Sequence, residues 1–256
     1  MKALDLFEDS LVVLKSSLGK HHSSVAKTIA QIGAVHYELG EYNKAMSALA
    51  EAERCQMSTI GEQSRDRLET QLQIGRVLCS IGKFDVALEK MRDVAEKQIS
   101  MFGNNHPSIA ETNQCIGDCF LEQGMNTEAR VMYVECYNMR RLFFSGEQIH
   151  IAESMVDIIR ARDDRPERAL EIYQNAMDIY KEYLPDDHVQ IGRLFMFEGD
   201  THAELLNFPA AIERYEQAMQ IFLKALGEGH VLEADISGKF ICQHTKSMNH
   251  SFFIFF

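Results

Sequence analysis

Four histidines recur along this chain, and histidines at a regular spacing could hold a metal ion. Each lies three residues after a glycine or proline that would end the preceding segment: His22, His106, His188 and His230. A zinc ion needs its ligand nitrogens within about 2 Å, whereas equivalent residues of a repeat lie a whole repeat apart. We therefore predict that these histidines begin helices, and Pro107, directly after His106, also indicates a helix start.

Cys115 and Cys119 are the other candidate metal ligands, since residues i and i+4 share one face of a helix. No second pair of His or Cys at a compatible spacing accompanies them in the sequence, so a closed zinc site is not expected. The nucleotide-binding, zinc-protease and serine-hydrolase motifs are also absent. We predict that both thiols pack as small apolar side chains. We also predict that the chain is not an enzyme and uses no metal or cofactor.

The charge and the cysteines limit the partners and the compartment. The formal net charge is −12, which disfavours nucleic acid and anionic membrane surfaces as partners. The sequence has no apolar run of the ~20 residues that a membrane span needs, and residues 1–5 do not start a signal peptide. Six scattered cysteines without a secretion signal indicate reduced thiols, so we expect a cytoplasmic protein.

A block of sequence that recurs every 42 residues indicates the elements that carry these residues. It has a glycine after isoleucine, a second glycine seven residues later and an alanine five residues after that: Gly33, Gly40, Ala45; Gly75, Gly82, Ala87; Gly117, Gly124, Ala129. A glycine inside a helix costs about 1 kcal/mol relative to alanine, so the first glycine indicates close approach of another helix. The second suits a left-handed residue that ends a helix, and the alanine marks a helix crossing. Each block therefore predicts a helix–turn–helix unit, and the fold class is all-α.

The same register extends outward from the three blocks. Residues 3–18 match a second helix alone, and full units follow at 22–61, 64–103, 106–145, 148–184 and 188–227. We assign residues 1–236 to the array: a half repeat, five full repeats and the start of a sixth. Residues 237–256 form a non-repeat aromatic tail, expected from a truncated or mis-spliced end; the alternative is that the tail folds back on the last helix. Uncapped ends would favour end-to-end self-association.

Two units depart from the pattern in the turn between their helices. In the fourth unit, residues 160–166 have lost the glycine and two positions, so we expect a different turn there. In the fifth unit, Gly199 keeps the helix-crossing position and Leu206 replaces the turn glycine. Phe208 then begins the second helix, and Ala211 restores the register.

The order of small residue, Gly, aromatic residue and Ala resembles the tetratricopeptide repeat, as at Gly33, Gly40, Tyr42 and Ala45. The 42-residue period and the segments around His22 and 102–110 resemble the variant found in kinesin light chains and nephrocystin-type proteins. The resemblance covers roughly residues 3–236. It implies an alpha-alpha superhelix, a TPR solenoid of antiparallel helix pairs, whose first helices line a concave groove. It also implies a non-catalytic scaffold or adaptor that binds a peptide or an extended segment there.

In that family the peptide contacts come from first-helix positions that flank the small residue. We call the matching residues of this chain the groove positions. They are Lys27, Gln31, Tyr37, Glu38, Glu69, Gln73, Arg76, Glu111, Gln114, Asp118, Glu122, Glu153, Asp157, Arg160, Arg193, Phe197, Asp200 and Glu204.

The groove positions hold nine acids and four bases. Kinesin light chains use a basic, Asn-rich groove, and a chaperone-tail clamp would need Lys, Asn and Arg where Gln31, Gln73 and Glu111 stand. Charge complementarity predicts a basic or neutral peptide as the partner; the alternative is that these are merely solvated surface charges. A second hypothesis for the function is a regulatory or sensor module of a larger protein, whether that protein is enzymatic or not.

Overall fold

In the computed structural model, the described residues are 2–59, 64–143, 148–161 and 166–254, and side chains are described except at 2, 3, 59, 143 and 247–254. Every regular element within these ranges is an α-helix, which confirms the all-α prediction. The chain divides into two compact units, Met1–Phe143 (unit 1) and Phe144–Phe256 (unit 2).

Unit 1 contains seven helices and unit 2 contains five within the described residues. In unit 1 they are α1 (Lys2–Leu18), α2 (Ser23–Glu38), α3 (Tyr42–Thr59), α4 (Arg65–Ser80), α5 (Phe84–Phe102), α6 (Pro107–Glu122) and α7 (Asn126–Phe143). In unit 2 they are α8 (Gln148–Arg160), α9 (Pro166–Tyr183), α10 (Val189–Glu204), α11 (Phe208–Leu226) and α12 (Val231–Ile254).

Helices that follow one another in the chain pack together within each unit. The pairs α2–α3, α4–α5, α6–α7, α8–α9 and α10–α11 correspond to the five expected repeats. The alanine predicted at each crossing has no exposed surface, and these residues are Ala45, Ala87, Ala129, Ala169 and Ala211. Since a larger side chain would separate the two backbones, alanine sets how closely each pair packs.

The first glycine of each block lies where the second helix of the pair approaches most closely. A Cβ atom added at these glycines would lie 2.7 Å from Leu49 Cγ at Gly33 and 2.8 Å from Met91 Cγ at Gly75. It would lie 2.6 Å from Tyr133 Cε1 at Gly117 and 2.5 Å from Tyr215 Cε1 at Gly199. These separations are shorter than carbon atoms tolerate, so the close approach expected from the sequence is confirmed.

The second glycine of each block ends the first helix in a left-handed conformation. Gly40, Gly82 and Gly124 have φ of 73°, 78° and 74°, and the next residue donates its backbone N–H to a carbonyl five residues earlier, at 2.9 Å in each turn. Leu206 takes the same conformation with φ of 59°, and Asn207 donates to the His202 carbonyl at 2.9 Å. The turn therefore keeps its geometry even where glycine is absent.

The recurring histidines begin helices, as predicted. In each case the Nδ1 atom accepts a hydrogen bond from the backbone N–H two residues later, at 3.1 Å for His22 and 3.2 Å for His106, His188 and His230. The first N–H groups of a helix have no partner within the helix, so the imidazole does what Ser or Asp does at other N-caps.

Helices α1 and α12 are the first and the last of the described helices. Helix α1 packs on α2 through Leu11 and Leu14, while Val12 and Val13 are exposed. Helix α12 starts at Val231 and continues through position 237 to Ile254, so the tail proposed from residue 237 begins inside a helix. Phe255 and Phe256, Gly61 and the fourth-repeat turn residues 162–165 lie outside the described residues.

Candidate functional site

The groove positions of unit 1 lie on α2, α4 and α6, and successive first helices contact each other. Those of unit 2 lie on α8 and α10. The exposed members are Lys27, Gln31, Glu38, Glu69, Glu111, Glu122 and Glu204. The half-buried ones are Tyr37, Gln73, Arg76, Gln114, Asp118, Glu153, Arg160, Arg193, Phe197 and Asp200. Asp157 is buried, so it is less available to a ligand than its repeat position suggests.

Arg76 joins the groove positions of two first helices in unit 1. Its guanidinium carbon lies 4.6 Å from the centre of the Tyr37 ring, a cation–π distance. One of its nitrogens donates to Gln73 Oε1 at 2.9 Å, and another lies 3.6 Å from Glu38. The charge of Arg76 is therefore already balanced within the protein, which leaves little of it for an acidic ligand.

The carboxylates of Glu69 and Glu111 face the same region from α4 and α6. Desolvation by the surrounding helices raises the pKa of Glu69, and the negative charges of Glu111 and Asp66 raise it further, against the opposing effect of Lys27. A carboxylate whose ionised form is disfavoured by its neighbours gains when a cation comes close. This part of unit 1 is therefore electrostatically suited to a basic group.

Two groove positions on α6 are held by the second helix of their own repeat. Tyr133 on α7 donates its hydroxyl to Asp118 at 2.7 Å, and Arg140 on α7 donates to Gln114 at 2.7 Å. Hydrogen bonds to charged groups are stronger than neutral ones. These side chains therefore have fixed orientations on the first-helix surface.

In unit 2, Arg160 and Phe197 bring the groove positions of α8 and α10 together. The guanidinium carbon of Arg160 lies 4.6 Å from the centre of the Phe197 ring, and Asp157 accepts from Arg160 at 3.3 Å. Glu153 accepts from Gln190 on α10 at 3.0 Å. A cation–π contact and a hydrogen bond thus connect the two first helices.

Lys239 contacts a groove position and is not among the residues predicted from the sequence. Its ammonium donates to both carboxylate oxygens of Asp200, at 2.8 and 3.1 Å, and Asp200 also accepts from the Tyr215 hydroxyl at 2.8 Å. Lys239 stands 42 residues after Phe197, so carrying the register into the assigned tail would have placed it among the groove positions.

The cysteines and histidines do not gather into a metal site among the described residues, where no group of three or more His, Cys, Asp or Glu side chains could hold an ion. Cys115 and Cys119 are buried, and burial raises the pKa of Cys115 to about 12. The prediction that they pack in the core is confirmed. No helix of the described chain combines the length and apolarity needed to cross a membrane.

Comparisons with known proteins agree with this architecture. Residues 152–236 match the family model of the tetratricopeptide repeat, and no curated protein sequence matches the chain. A crystal structure of nearly identical TPR-like repeats from a putative kinesin light chain of Podosopora anserina is similar to this chain. The TM-score is 0.56 at 18% identity, over 80% of this chain and 98% of that one.

Two further solved structures have a similar fold. BtubC (BKLC) from P. vanneervenii gives a TM-score of 0.61 at 14% identity, over 90% of this chain and 91% of that one. The Rap conjugation gene regulator of plasmid pLS20, in complex with the Phr* peptide, gives 0.62 at 14% identity, over 98% of this chain and 70% of that one. At these identities the likeness concerns the fold.

The family match lies in unit 2, and the recurring glycines, alanines and helix-capping histidines extend the same repeat through unit 1. The fold similarity covers most of the chain. Residues 152–236 therefore match the tetratricopeptide repeat, and most of the chain has the fold of the kinesin-light-chain-like repeat structures.

Proposed function

We propose that this protein is a non-catalytic scaffold or adaptor that binds an extended peptide of basic or neutral character across first-helix groove positions. The repeat fold and its neighbours support a protein-interaction scaffold, and a regulator of similar fold has been solved with a peptide bound. Helix-pair repeats present extended surfaces that suit such ligands.

The observation that carries the basic-peptide proposal is the electrostatic effect of Glu111 on Glu69 in unit 1. Each comes from a different first helix, and the charge of Glu111 raises the pKa of Glu69. A lysine or arginine between them would relieve this repulsion, while Arg76 is already occupied by Tyr37, Gln73 and Glu38. An acidic ligand would instead add to the negative charge.

Binding of labelled peptides with matched sequences tests this proposal. Peptides that alternate lysine with apolar residues should bind more tightly than their glutamate counterparts, and the preference should weaken with added salt. The double substitution Glu69→Gln, Glu111→Gln should weaken lysine-peptide binding about fivefold, equivalent to ~1 kcal/mol.

The chain offers a matched control for the charge change. Glu89 and Glu96 are exposed on α5, which is a second helix. The double substitution Glu89→Gln, Glu96→Gln therefore removes the same amount of negative charge, but at positions that are not on the first-helix surface. We expect this control to leave binding within about twofold of wild type. Tighter binding of glutamate peptides, or equal losses in the two double variants, would contradict the proposal.

The second candidate is a regulatory or sensor module, favoured by the similarity to the Rap conjugation gene regulator in complex with the Phr* peptide. Hydrogen exchange with and without bound peptide separates the two candidates. A scaffold should gain protection in the first helices α2, α4 and α6 alone. A sensor should also change protection in helices that lack groove positions, such as α3 and α5, because its state must be transmitted.

A further inference from the structure

His36 and His202 occupy the same position in two repeats, three residues after the helix-crossing glycine. Each lies in the last turn of a first helix, which is α2 for His36 and α10 for His202. The Nδ1 atom of His36 lies 2.6 Å from the carboxylate of Glu41. The Nδ1 atom of His202 is shielded from solvent and has no hydrogen-bond partner among the described residues. The same histidine is therefore paired in unit 1 and unpaired in unit 2.

The turn that follows each histidine explains this difference. Asn207 occupies in unit 2 the position that Glu41 occupies in unit 1. The Asn207 side chain caps α11, because it accepts from the Ala210 N–H at 3.4 Å, and it has no carboxylate to offer His202. Leu206, the residue before it, has a φ of 59°, which is sterically unfavourable for leucine. Backbone strain and an unpaired polar atom are thus found in the same turn.

The charged groups that pack around His202 disfavour a proton on its ring. Burial lowers the pKa of His202, the positive charge of Arg214 on α11 lowers it further, and Glu213 on α11 opposes both effects. Glu198 lies one helical turn before His202 on α10, and it is already paired with Arg214 at 3.0 Å. Lys181 on α9 also acts on Glu198. The carboxylate nearest along the helix is therefore committed to other cations.

The remaining charges near this end of α10 belong to two groove positions. Asp200 is held by Lys239 of α12 at 2.8 Å, and Glu204 is exposed. Neither is a hydrogen-bond partner of the His202 Nδ1 atom.

We propose that the turn between α10 and α11 is a pH-sensitive hinge, which opens when His202 takes up a proton at mildly acidic pH. A proton on His202 adds a positive charge close to Arg214. The imidazolium also needs an acceptor for its Nδ1–H, and the closed turn provides none. Opening of the turn gives that group access to water. The inference does not depend on peptide binding.

The sign of the pH dependence follows from the uptake of this proton. Because the closed turn disfavours the charged ring, its stability is complete above the ordinary histidine pKa of 6.5 and is lost as the pH falls below it. At about pH 5.5 the open state gains about tenfold over a closed turn that binds no proton. Glu198 acts in the opposite direction, because burial raises its pKa. Substitution of His202 separates the two contributions.

Hydrogen exchange of three backbone amides in each turn reports its opening. Each of these amides donates to a carbonyl of the first helix. In unit 2 they are those of Leu205, Leu206 and Asn207, and in unit 1 the equivalents are those of Leu39, Gly40 and Glu41. The wild-type chain therefore contains its own control.

The experiment exchanges the full chain at about pH 7.5 and about pH 5.5, and divides each rate by the intrinsic rate of an unfolded peptide at the same pH. Protection of the unit 2 turn should fall about tenfold at the lower pH, whereas protection of the unit 1 turn should not fall. His202→Gln cannot take up a proton and should abolish this fall. The matched control His36→Gln should leave it unchanged.

Leu206→Gly is a second variant that separates strain from protonation. It should raise the protection of the unit 2 turn at both pH values and keep the fall, because it relieves the backbone and retains His202. Circular dichroism shows whether each variant is folded, and the comparison of the two turns in wild type holds even where a variant does not fold.

Three results would overturn the proposal. One is a fall that persists in folded His202→Gln, and another is an equal fall in both turns of the wild-type chain. The third is a gain of protection in the unit 2 turn at the lower pH, since a proton on His202 would then be stabilised by Glu198 and not opposed by Arg214.

Discussion

The pair α6–α7 of unit 1 and the pair α10–α11 of unit 2 are the same repeat built with different residues at two places. Both place a glycine against a tyrosine ring, Gly117 against Tyr133 and Gly199 against Tyr215. In both, the tyrosine hydroxyl donates to the aspartate that follows the glycine. These shared features are the ones that packing requires.

The two pairs differ in the turn and in what reaches the aspartate. Gly124 forms the turn in unit 1, whereas Leu206 adopts the same left-handed conformation in unit 2. Asp200 receives Lys239 from the next helix, in addition to its tyrosine. Steric contact with the tyrosine ring thus requires glycine at the helix crossing, whereas glycine is only preferred in the turn. The partners of the aspartate vary between the two pairs.

Gly117→Val and Gly199→Val should have the largest effect. Each would push a branched side chain into a tyrosine ring that already lies 2.6 or 2.5 Å from an added Cβ. Overpacking of this kind should lower the free energy of unfolding by about 3 kcal/mol. Urea unfolding followed by circular dichroism measures it.

The control for this pair is Gly238→Val on α12, where an added Cβ meets nothing within 4 Å. We expect a change below about 0.5 kcal/mol there. An equal loss at Gly117 and Gly238 would show that the close approach at Gly117 is not what limits that position.

Tyr133→Phe and Tyr215→Phe sharpen the comparison of the two aspartates. Loss of a hydrogen bond to a charged group costs about 1.5–3 kcal/mol, and we expect Tyr133→Phe near the upper end. Tyr215→Phe should cost less, because Asp200 keeps its ion pair with Lys239 at 2.8 Å. The same urea experiment measures both, and a larger loss for Tyr215→Phe would contradict this account.

Exchange of the turn residues should have opposite effects in the two pairs. Leu206→Gly should raise the free energy of unfolding by roughly 0.5–1 kcal/mol, because glycine adopts positive φ without the steric penalty of leucine and the Leu206 side chain is 67% exposed. Gly124→Leu should lower it by about 1 kcal/mol. Thermal unfolding monitored by calorimetry checks the signs, and a loss in both variants would mean that Leu206 makes a compensating contact.

The smallest expected effect is the pH dependence of the free energy of unfolding that arises from two glutamates. Burial raises the pKa of Glu198 in unit 2 from its ordinary value of 4.5, against the opposing charge of Arg214, and the pKa of Glu69 in unit 1 is raised as well. A raised carboxyl pKa contributes stability that is complete below the unfolded pKa and is lost as the pH rises through the folded pKa.

The free energy of unfolding of Glu198→Gln and of Glu69→Gln, each relative to wild type, should therefore be higher at about pH 7 than at about pH 4. Urea unfolding at the two pH values gives this difference directly. The reverse trend would show that the Glu198–Arg214 ion pair, 3.0 Å long, outweighs burial.

Much of the fold could be predicted because close packing of the helices requires small residues at fixed positions of each repeat. Gly33 and Ala45 must be small where the helices approach each other, and Gly40 must tolerate a positive φ. Their spacing in the sequence therefore indicates the helix, the turn and the helix crossing. The histidines were recognised as helix starts for the same reason. The groove positions remain a prediction as a binding surface, since exposure on a first helix does not by itself identify a ligand.

The sequence by itself determined the all-α repeat, its period and the helix-ending residues, because these depend on local sterics and backbone hydrogen bonds that each residue type satisfies or not. Only the tertiary structure decided which distant side chains meet, such as Arg76 with Tyr37 and Lys239 with Asp200. Such pairings depend on the stagger between neighbouring helices, and a stagger is set by the whole packed interface and not by any one residue.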